Sequence, residues 1–596
     1  MDNREVAKIL RETAQLLEID GAIIGRYRSY EKVADLLGSL TERIEDVAKD
    51  DKKLKELPGV GDGMAEHIHE ILATGDYSLR QKLLKKYPPT ILQLLDVQSL
   101  GPKRVALLWK KFKVATVADL EKIVREGKLR DLPGFGEKSE QAILKGAEHF
   151  KTLSGSGRFN INVADDEAQK LAAYIAKAGE AVESVTPAGS LRRGKETVGD
   201  LDLLVTMRPA HESQKYIDAV ADHILKYPGI KQELAHGENK VSVLLDSGLQ
   251  VDVRLLAKKS FGAALLYFTG SKQHNVELRG RANEMGWTLN EYALTSLKGG
   301  RVVARETEAE IYAKLKLDYV EPELRECTGE IEAAELHKLP NLIELQDMRG
   351  DLQMHTTASD GRNSIEEMGA AARALGYEYI ALTDHSQAVT VANGMDERRT
   401  IAQIKKIRQA QERVEGIRLL AGIEVDIKKN GSLDLHDDCL AQLDVVVASV
   451  HSYMNMEPGE MTDRILAAIE NPYTQIIAHP TGRLILRREA FDYDMQKILD
   501  AAARHGVVME CNAYPDRLDL KDVHLRMAKQ RGVKIVISTD SHSTSNLKFM
   551  KYGVLTARRG WIEKKDVINA LSLEQMLAAL RPKPHASKAK AAKHAS

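Results

Sequence analysis

Gly189-Ser190-Leu191-Arg192-Arg193-Gly194, followed after three residues by Val198-Gly199-Asp200-Leu201-Asp202-Leu203-Leu204-Val205, is the stretch that decides how the 596-residue chain is read. On a strand, residues two apart share a face, so Asp200 and Asp202 project together while Leu201 and Leu203 enter a core. Two neighbouring carboxylates repel, and a divalent cation between them makes the arrangement favourable. Downstream, 241–245 and 249–255 flank Asp246-Ser247-Gly248, which predicts a hairpin whose second strand delivers Asp252 to the same place. Three carboxylates beside a Gly-Ser turn suit two-metal nucleotidyl transfer, with the Gly189-Ser190 turn and Arg193 as phosphate donors. An Asp-x-Asp pair alone is common at exposed acidic strand edges; the attached Gly-Ser-x-Arg-Arg-Gly turn sets this one apart.

Working outward, the first 150 residues show helical apolar spacing broken by glycine turns, with little strand signal. Leu57-Pro58-Gly59-Val60-Gly61, Ser99-Leu100-Gly101-Pro102 and Leu132-Pro133-Gly134-Phe135-Gly136 each precede a helix start. Glycines permit a tight turn and leave the next N–H groups free to meet a phosphate. Such turns resemble helix-hairpin-helix elements, which grip DNA backbone without reading sequence, and three of them outweigh an ordinary helix end. The net charge is -1, so no global basic field advertises nucleic acid. Locally, however, residues 81–130 carry 12 Lys/Arg against 4 Asp/Glu, and the last sixteen residues hold five Lys/Arg and no acid. That tail has no apolar periodicity and is expected to be a solvated extension.

A chain this long holds about three to five domains. No apolar run reaches the ~18 residues of a membrane span, and the start lacks a secretory stretch. Three cysteines, Cys327, Cys439 and Cys511, build neither a disulfide framework nor a four-thiolate zinc site. The expectation is a reduced, cytoplasmic, multidomain protein.

From Gly350 onward short apolar strands alternate with helical stretches. Strands are predicted at 351–356, 379–385, 419–425, 445–451, 475–479, 507–512 and 534–542. Seven β/α units in this length suggest a barrel related to the eight-fold one, with its site at the C-terminal strand ends. Ligand-type residues fall there: Gln353 and His355, Asp360, Asp384-His385, Glu424, His451, His479, and Asp540 with His542. Any one histidine reads best as a hydrogen-bonded core residue, but imidazoles and carboxylates ending separate strands form a metal signature suited to Zn²⁺, Mn²⁺ or Fe²⁺. His436, His505 and His524 lie outside the pattern.

Residues 1–318 resemble an X-family DNA polymerase, the repair class that includes vertebrate polymerase beta. Beyond the carboxylates, Tyr267-Phe268-Thr269-Gly270-Ser271, Asn275 and Arg279 are similar to that family's nucleotide-facing segment, and Asn290-Glu291-Tyr292 to its thumb. The resemblance implies Asp200, Asp202 and Asp252 as ligands of Mg²⁺ or Mn²⁺, with Ser190, Arg193 and Gly199 as triphosphate contacts. It further implies Tyr267 and Phe268 as the sugar-discriminating pair beside Gly270, Asn275 as a minor-groove contact and Arg279 as a templating-base contact. DNA backbone contacts would come from Gly59, Gly61, Gly101, Gly134 and Gly136, whose hairpins often hold a monovalent cation in this family. Two departures stand out. Lys272 replaces an acid, and His67 stands at the position of the Schiff-base lysine, so deoxyribose-phosphate lyase chemistry by the amine route is not expected.

Residues 347–575 resemble a PHP (polymerase and histidinol phosphatase) domain. This implies up to three divalent metals: one on His355, Glu424 and Asp540, a second on Glu424, His451 and His479, a third on Asp360, His385 and His542. Gln353 departs from the usual first histidine, and an amide oxygen is the weaker ligand. The combined expectation is a multidomain α+β and α/β chain. Its order is an N-terminal helical domain (1–80), fingers with helix-hairpin-helix motifs (81–153), a nucleotidyltransferase palm (154–256), thumb (257–318), linker (319–346), a distorted (β/α)7 PHP barrel (347–580) and a basic tail (581–596). The activities implied are gap-filling DNA synthesis in base-excision repair and Mn²⁺-dependent 3′–5′ exonucleolysis, with 3′-phosphatase and abasic-site endonuclease activities not separable by residues alone. Expected partners are gapped or nicked DNA, primer 3′ ends and dNTPs, with no membrane, acting as a monomer near the nucleoid of a bacterium. Two rivals are a small-molecule phosphatase, which has no use for the hairpin turns, and a DNA-bridging scaffold with vestigial sites, which need hold no metal.

Overall fold

The computed structural model describes residues 3–40, 43–97, 100–129, 132, 135, 140, 143, 157–486 and 488–582. The third glycine turn with Gly134 and Gly136, and the basic tail from 583, lie outside the described residues.

Val6, Leu10 and Leu17 recur at helical spacing on Asn3–Ile19 and bury against Val33 and Leu37 of Ile24–Ser39, with Ile68 and Leu108 joining the same core. Gly59 takes φ +84, which only glycine adopts without strain, and Gly61 is the N-cap of helix Asp62–Thr74. Gly101 likewise caps Pro102–Phe112, whose first residue is proline, a position where the missing N–H costs nothing.

The palm sheet contains β1 (Val182–Pro187), β2 (Asp200–Met207), β3 (Ile230–Gly237), β4 (Lys240–Leu245) and β5 (Gln250–Ala257), in the order β1-β2-β5-β4-β3. β4 and β5 form the expected hairpin, and β5 runs parallel to β2 with Asp202 opposite Asp252 and Asp200 opposite Gln250. Leu201, Leu203, Val251 and Val253 bury beneath. After it come helices Phe261–Thr269 and Lys272–Glu284 and an antiparallel three-stranded sheet, Trp287–Leu289, Leu294–Ser296 and Val302–Ala304.

The stretch 319–346, expected as a linker, is packed structure. Val320, Leu324, Ala334 and Leu342 belong to the thumb core, and Arg325 and Glu330 are fully buried. Arg325 donates to Glu308 Oε1 at 2.6 Å and to the Val320 carbonyl at 3.0 Å; Glu330 accepts from His274 Nδ1 and from the Cys327 and Thr328 amides. The charges of this segment are held inside the fold by partners outside it, Glu308 for Arg325 and His274 for Glu330.

Among the described residues, seven parallel strands follow in chain order: β6 (Gly350–Asp351), β7 (Tyr379–Leu382), β8 (Arg418–Asp426), β9 (Val445–Ser449), β10 (Ile476–Ile477), β11 (Val508–Asn512) and β12 (Ile535–Ser538). The ring nearly closes where Met354 bridges Ser541 and the His355 amide donates to the Ser541 carbonyl at 2.8 Å. Several strands are shorter than their sequence predicts because the polar residues at their ends leave the sheet: His479 (φ 27) and Asp540 (φ 52) lie beyond β10 and β12. The barrel also seats on the palm. Ile485, Leu518 and Tyr552 join the palm core, Arg483 pairs with Glu196 at 2.8 Å, and Tyr552 Oη donates to Asp165 at 2.9 Å.

Asn569 ties the first and last barrel strands: its Nδ2 donates to the carbonyls of Gly350 and Ile537, and its Oδ1 accepts from the Ile537 amide. Asn569→Ala, leaving these buried groups unpaired, is expected to lower barrel stability by about 2–3 kcal/mol. Urea unfolding followed by barrel-specific proteolysis measures this.

Candidate active sites

The palm site is built on β2, β5 and the turn before β2. Gly189 (φ +60) brings its backbone so close that a Cβ there would lie 2.5 Å from Asp202 Oδ2. Any side chain would displace the carboxylate, which is why glycine opens the turn. Burial, then Asp200 and Asp252, push the Asp202 carboxyl up to about 7. Three neighbouring carboxylates, with Asp202 raised by burial and by the other two, fit a divalent cation as countercharge. The triad is not gathered as tightly as the barrel groups described below, whose ligand atoms lie within 4.8 Å of one another. Lys240 Nζ sits 2.6 Å from Asp252 Oδ2 and neutralises part of the charge.

The residues expected to face a nucleotide also meet. A small cavity is lined by Leu266, Tyr267, Asn275, Arg279, Leu289 and Asn290. Asn275 Nδ2 donates to the Tyr267 carbonyl at 2.7 Å, and Arg279 Nε to the Asn275 carbonyl at 3.3 Å. Tyr267 and Phe268 meet edge to face at 5.1 Å, and the Arg254 guanidinium lies 4.2 Å over the Phe268 ring. Arg193 Nε donates to Glu326 at 3.0 Å and its Nη1 to the Thr269 carbonyl. A Cβ on Gly199 would come within 3.3 Å of the Arg158 guanidinium, and the Ser190 carbonyl accepts from the Lys195 amide at 3.0 Å. Ser271 caps the helix that Lys272 begins.

In the barrel the strand ends converge. His355 Nε2 lies 3.1 Å from Asp540 and 3.3 Å from Glu424; His385 Nδ1 and His451 Nε2 are each 3.3 Å from Glu424, and His479 Nε2 is 2.8 Å from it. Asp360 faces His385 at 3.7 Å and His542 at 3.4 Å. Three groups have ligand atoms within 4.8 Å of one another: His355, Glu424 and Asp540; His385, Glu424 and His451; and His355, Asp360, His385 and His542. The first is the expected set. In the second His385 stands where His479 was expected, and in the third His355 is added, so both histidines sit between sets.

Burial opposes charge on His355, His385, His451 and His479; it prevails at His385 and His479, whereas the carboxylates prevail at His355 and His451. His385 is held down at about 3, whereas Glu424 and Asp426 raise His451 to about 9. Buried Gln353 Oε1 and Nε2, His355 Nδ1, His385 Nδ1, Glu424 Oε2, His451 Nε2 and His479 Nδ1 have no hydrogen-bond partner. Such a set of orphaned polar atoms is costly for a fold unless cations engage it, so the residues fit divalent metals. Gln353, the departure from pattern, is among them.

Asp384, a ligand-type residue at a strand end that belongs to none of the three expected metal sets, is a buried brace. It accepts from the Thr356 amide and hydroxyl at 2.8 Å, Ser359 Oγ at 2.7 Å and Gln403 at 3.1 Å. Sequence reading missed three residues. Asp426 accepts from the His451 amide at 3.0 Å and faces its Nδ1 at 3.2 Å, fixing which nitrogen meets Glu424. Asn512 Nδ2 donates to Asp540 at 3.1 Å, and Arg517 Nε lies 3.4 Å from the same carboxylate. Alternation along β8 placed Asp426 with Glu424 on one face and could have found it; Arg517 lies in a loop without periodicity. His436, set aside earlier, is exposed.

In the N-terminal region His67 Nδ1 lies 3.1 Å from Tyr30 Oη, and its ring packs on Tyr30 and Tyr77 at 5.8 and 4.7 Å. Burial lowers its pKa, leaving a neutral imidazole in an aromatic box. No helix among the described residues is long and apolar enough to cross a membrane.

Family models match consecutive segments: a helix-hairpin-helix domain at 1–77, a tandem helix-hairpin-helix at 91–148, the DNA polymerase beta palm at 163–245, the DNA polymerase beta thumb at 264–326 and a PHP domain at 351–513. The chain is 36% identical to the DNA polymerase/3′-5′ exonuclease PolX of Bacillus subtilis over 98% of its own length and 100% of that protein's. A probable phosphatase of Acetivibrio thermocellus is 32% identical over 32% of this chain and 78% of its own length. A probable phosphatase of Thermoanaerobacter pseudethanolicus is 28% identical over 37% and 89% respectively.

Asp202 ordinarily titrates at 3.8 and does so near 7 in the fold, so the folded state binds the extra proton between those values. Stability it confers is present at low pH and lost as pH rises toward 7. In chelator, Asp202→Asn is therefore expected to raise the melting temperature relative to wild type by about 2–4 °C at pH 8, a gain that shrinks toward pH 4.5. Paired melts across that range measure it.

Proposed function

The chain belongs to the PolX family of X-family DNA polymerases that carry a C-terminal PHP domain, and on that premise we propose that it fills short gaps in DNA during base-excision repair while its barrel trims the primer 3′ end. One observation carries this reading: a register-locked carboxylate pair beside a glycine phosphate turn, on the same chain as a barrel whose strand ends gather orphaned imidazoles and carboxylates. Asp200, Asp202 and Asp252 would hold Mg²⁺ or Mn²⁺. Ser190, Gly199 and Arg193 take the triphosphate, Tyr267 and Phe268 face the sugar, and Asn275 and Arg279 face the base pair. The N–H groups that follow Gly59, Gly61 and Gly101 would hold the DNA backbone, and Gly134 and Gly136 are assigned the same role from their sequence motif alone.

In the barrel, His355, Asp360, His385, Glu424, His451, His479, Asp540 and His542, with Gln353, would hold divalent ions, Mn²⁺ foremost, with Zn²⁺ and Fe²⁺ fitting the same donors. Such ions, when bound, supply a nucleophile at neutral pH and neutralise charge on the phosphoryl group. The chain's own contribution is orientation: Asp426 turns His451, Asn512 and Arg517 hold Asp540, and Asp384 fixes the loop that carries Asp360. A second reading, 3′-phosphate removal by the same barrel, is favoured by the likeness of this region to the probable phosphatases. The setting would be the bacterial cytoplasm, with a monomer on gapped DNA.

On a 5′-labelled primer over a one-nucleotide gap with Mn²⁺, extension is expected with dNTPs and stepwise shortening without them. Asp202→Ala is expected to lower extension by at least about 10³-fold and spare shortening, and Glu424→Ala to do the reverse. Loss of both activities from either change would count against two separate sites. Borohydride trapping on an incised abasic site is expected to yield no adduct within residues 1–90, because His67 supplies no amine. An adduct mapped there would restore the lyase.

A further inference from the structure

The phosphate-facing turn of the palm does not stand alone. A Cβ on Gly194 (φ +65) would lie 3.2 Å from Leu555 Cβ and 3.7 Å from Arg559 Cδ, so the barrel helix Met550–Arg559 seats directly on the turn. Arg559 Nη1 donates to the Arg193 carbonyl and to Glu326 Oε1, both at 2.9 Å. Its Nε and Nη2 donate to Asp522 Oδ2 at 3.0 and 2.7 Å, which anchors the guanidinium in the barrel. Glu326 Oε1 in turn accepts from Arg193 Nε at 3.0 Å. A second nitrogen of Arg193, Nη1, donates to the carbonyl of Thr269, the last residue of the helix bearing Tyr267 and Phe268.

One barrel guanidinium thus fixes both the backbone and, through Glu326, the side chain of Arg193. The relay is charged throughout. Burial would raise the Glu326 carboxyl, but Lys195, Arg559 and Arg193 hold it at about 2, and Arg559 likewise keeps Asp522 well below the usual carboxylate range. Arg559 itself is almost fully enclosed, so its bonds are little screened by solvent. Its neighbour Arg558 serves the same docking differently, pairing with Glu323 at 2.7 Å and the Ile343 carbonyl at 3.1 Å without touching the turn.

We propose that Arg559, from the PHP barrel, is a positioning residue for nucleotide binding in the palm, holding Arg193 toward the incoming triphosphate through the Arg193 carbonyl and Glu326. This rests on the reading of Arg193 as a triphosphate contact. Arg559 touches no substrate; it removes freedom from the group that does, so its loss weakens dNTP capture and leaves the chemical step alone.

The test is steady-state gap filling by the full-length protein, with dNTP KM and kcat resolved separately. Arg559→Gln is expected to raise KM by about tenfold with kcat nearly unchanged, and to leave Mn²⁺-dependent shortening of single-stranded DNA intact. Arg559→Lys restores part of the loss, Arg558→Gln leaves KM at the wild-type value, and adding Arg559→Gln to Arg193→Ala changes KM no further. Glu326→Gln cuts the same relay from the thumb side and gives the same rise in KM, which keeps the test open should Arg559→Gln fail to fold. A rise for Arg193→Ala with none for Arg559→Gln overturns the relay. Equal rises for Arg559→Gln and Arg558→Gln overturn it too, assigning the effect to general docking. No rise for Arg193→Ala overturns the triphosphate reading itself, and the relay with it.

Discussion

Placing like charges side by side is the constraint under which both halves of this chain are built. In the palm, parallel pairing of β2 and β5 sets Asp202 against Asp252 with no freedom to slide, because a one-residue slip would turn Leu201, Leu203, Val251 and Val253 out of their core. Apolar burial therefore does the work of holding carboxylates where electrostatics would drive them apart. The barrel solves the same problem differently. Most of its donors, such as His479 and Asp540, lie just past the strands, whereas Glu424 stays within β8 and is shared among four imidazoles.

Much of this was legible because each site rests on a backbone period. The two-residue repeat of Asp200 and Asp202 and the Asp-Ser-Gly turn specified one face of one sheet, and the barrel's donors declared themselves by following short apolar runs. What escaped was long-range. Asp384 carries the same strand-end signature as the residues that gather at the centre, and its inward loop of hydroxyl partners is invisible until Thr356, Ser359 and Gln403 are folded around it. Residues 319–346 follow the same rule: nothing local marks Arg325 and Glu330 as buried, and only the partners Glu308 and His274, distant in sequence, make them core. The glycine turn Leu132-Pro133-Gly134-Phe135-Gly136 was read with the other two, and Gly134 and Gly136 lie outside the described residues.

The helix Met550–Arg559 joins the two folds with both apolar and charged contacts. Tyr552 enters the palm core, Lys551 pairs with Asp165, Arg558 reaches the thumb, and Arg559 closes on the palm turn. Charged anchors of this kind fix orientation more than they add affinity, since desolvating each ion offsets much of its attraction. Geometry is what such an interface supplies.

The packed segment 319–346 has a consequence for traffic between the two reaction centres. A flexible tether would let one half swing over a stationary primer end, as a lid does. Here Leu324, Ala334 and Leu342 are cemented into the thumb while Arg558 and Arg526 clamp its far side to the barrel. On the proposed function the separation of the centres would act as a fixed ruler, and the nucleic acid would move: a terminus would change station by unpairing enough nucleotides to span that length, or by letting go and rebinding. Proofreading on such a frame would be timed by how readily the terminal base pairs melt, so a mismatched end would reach the barrel sooner than a matched one without any element of the protein recognising the error.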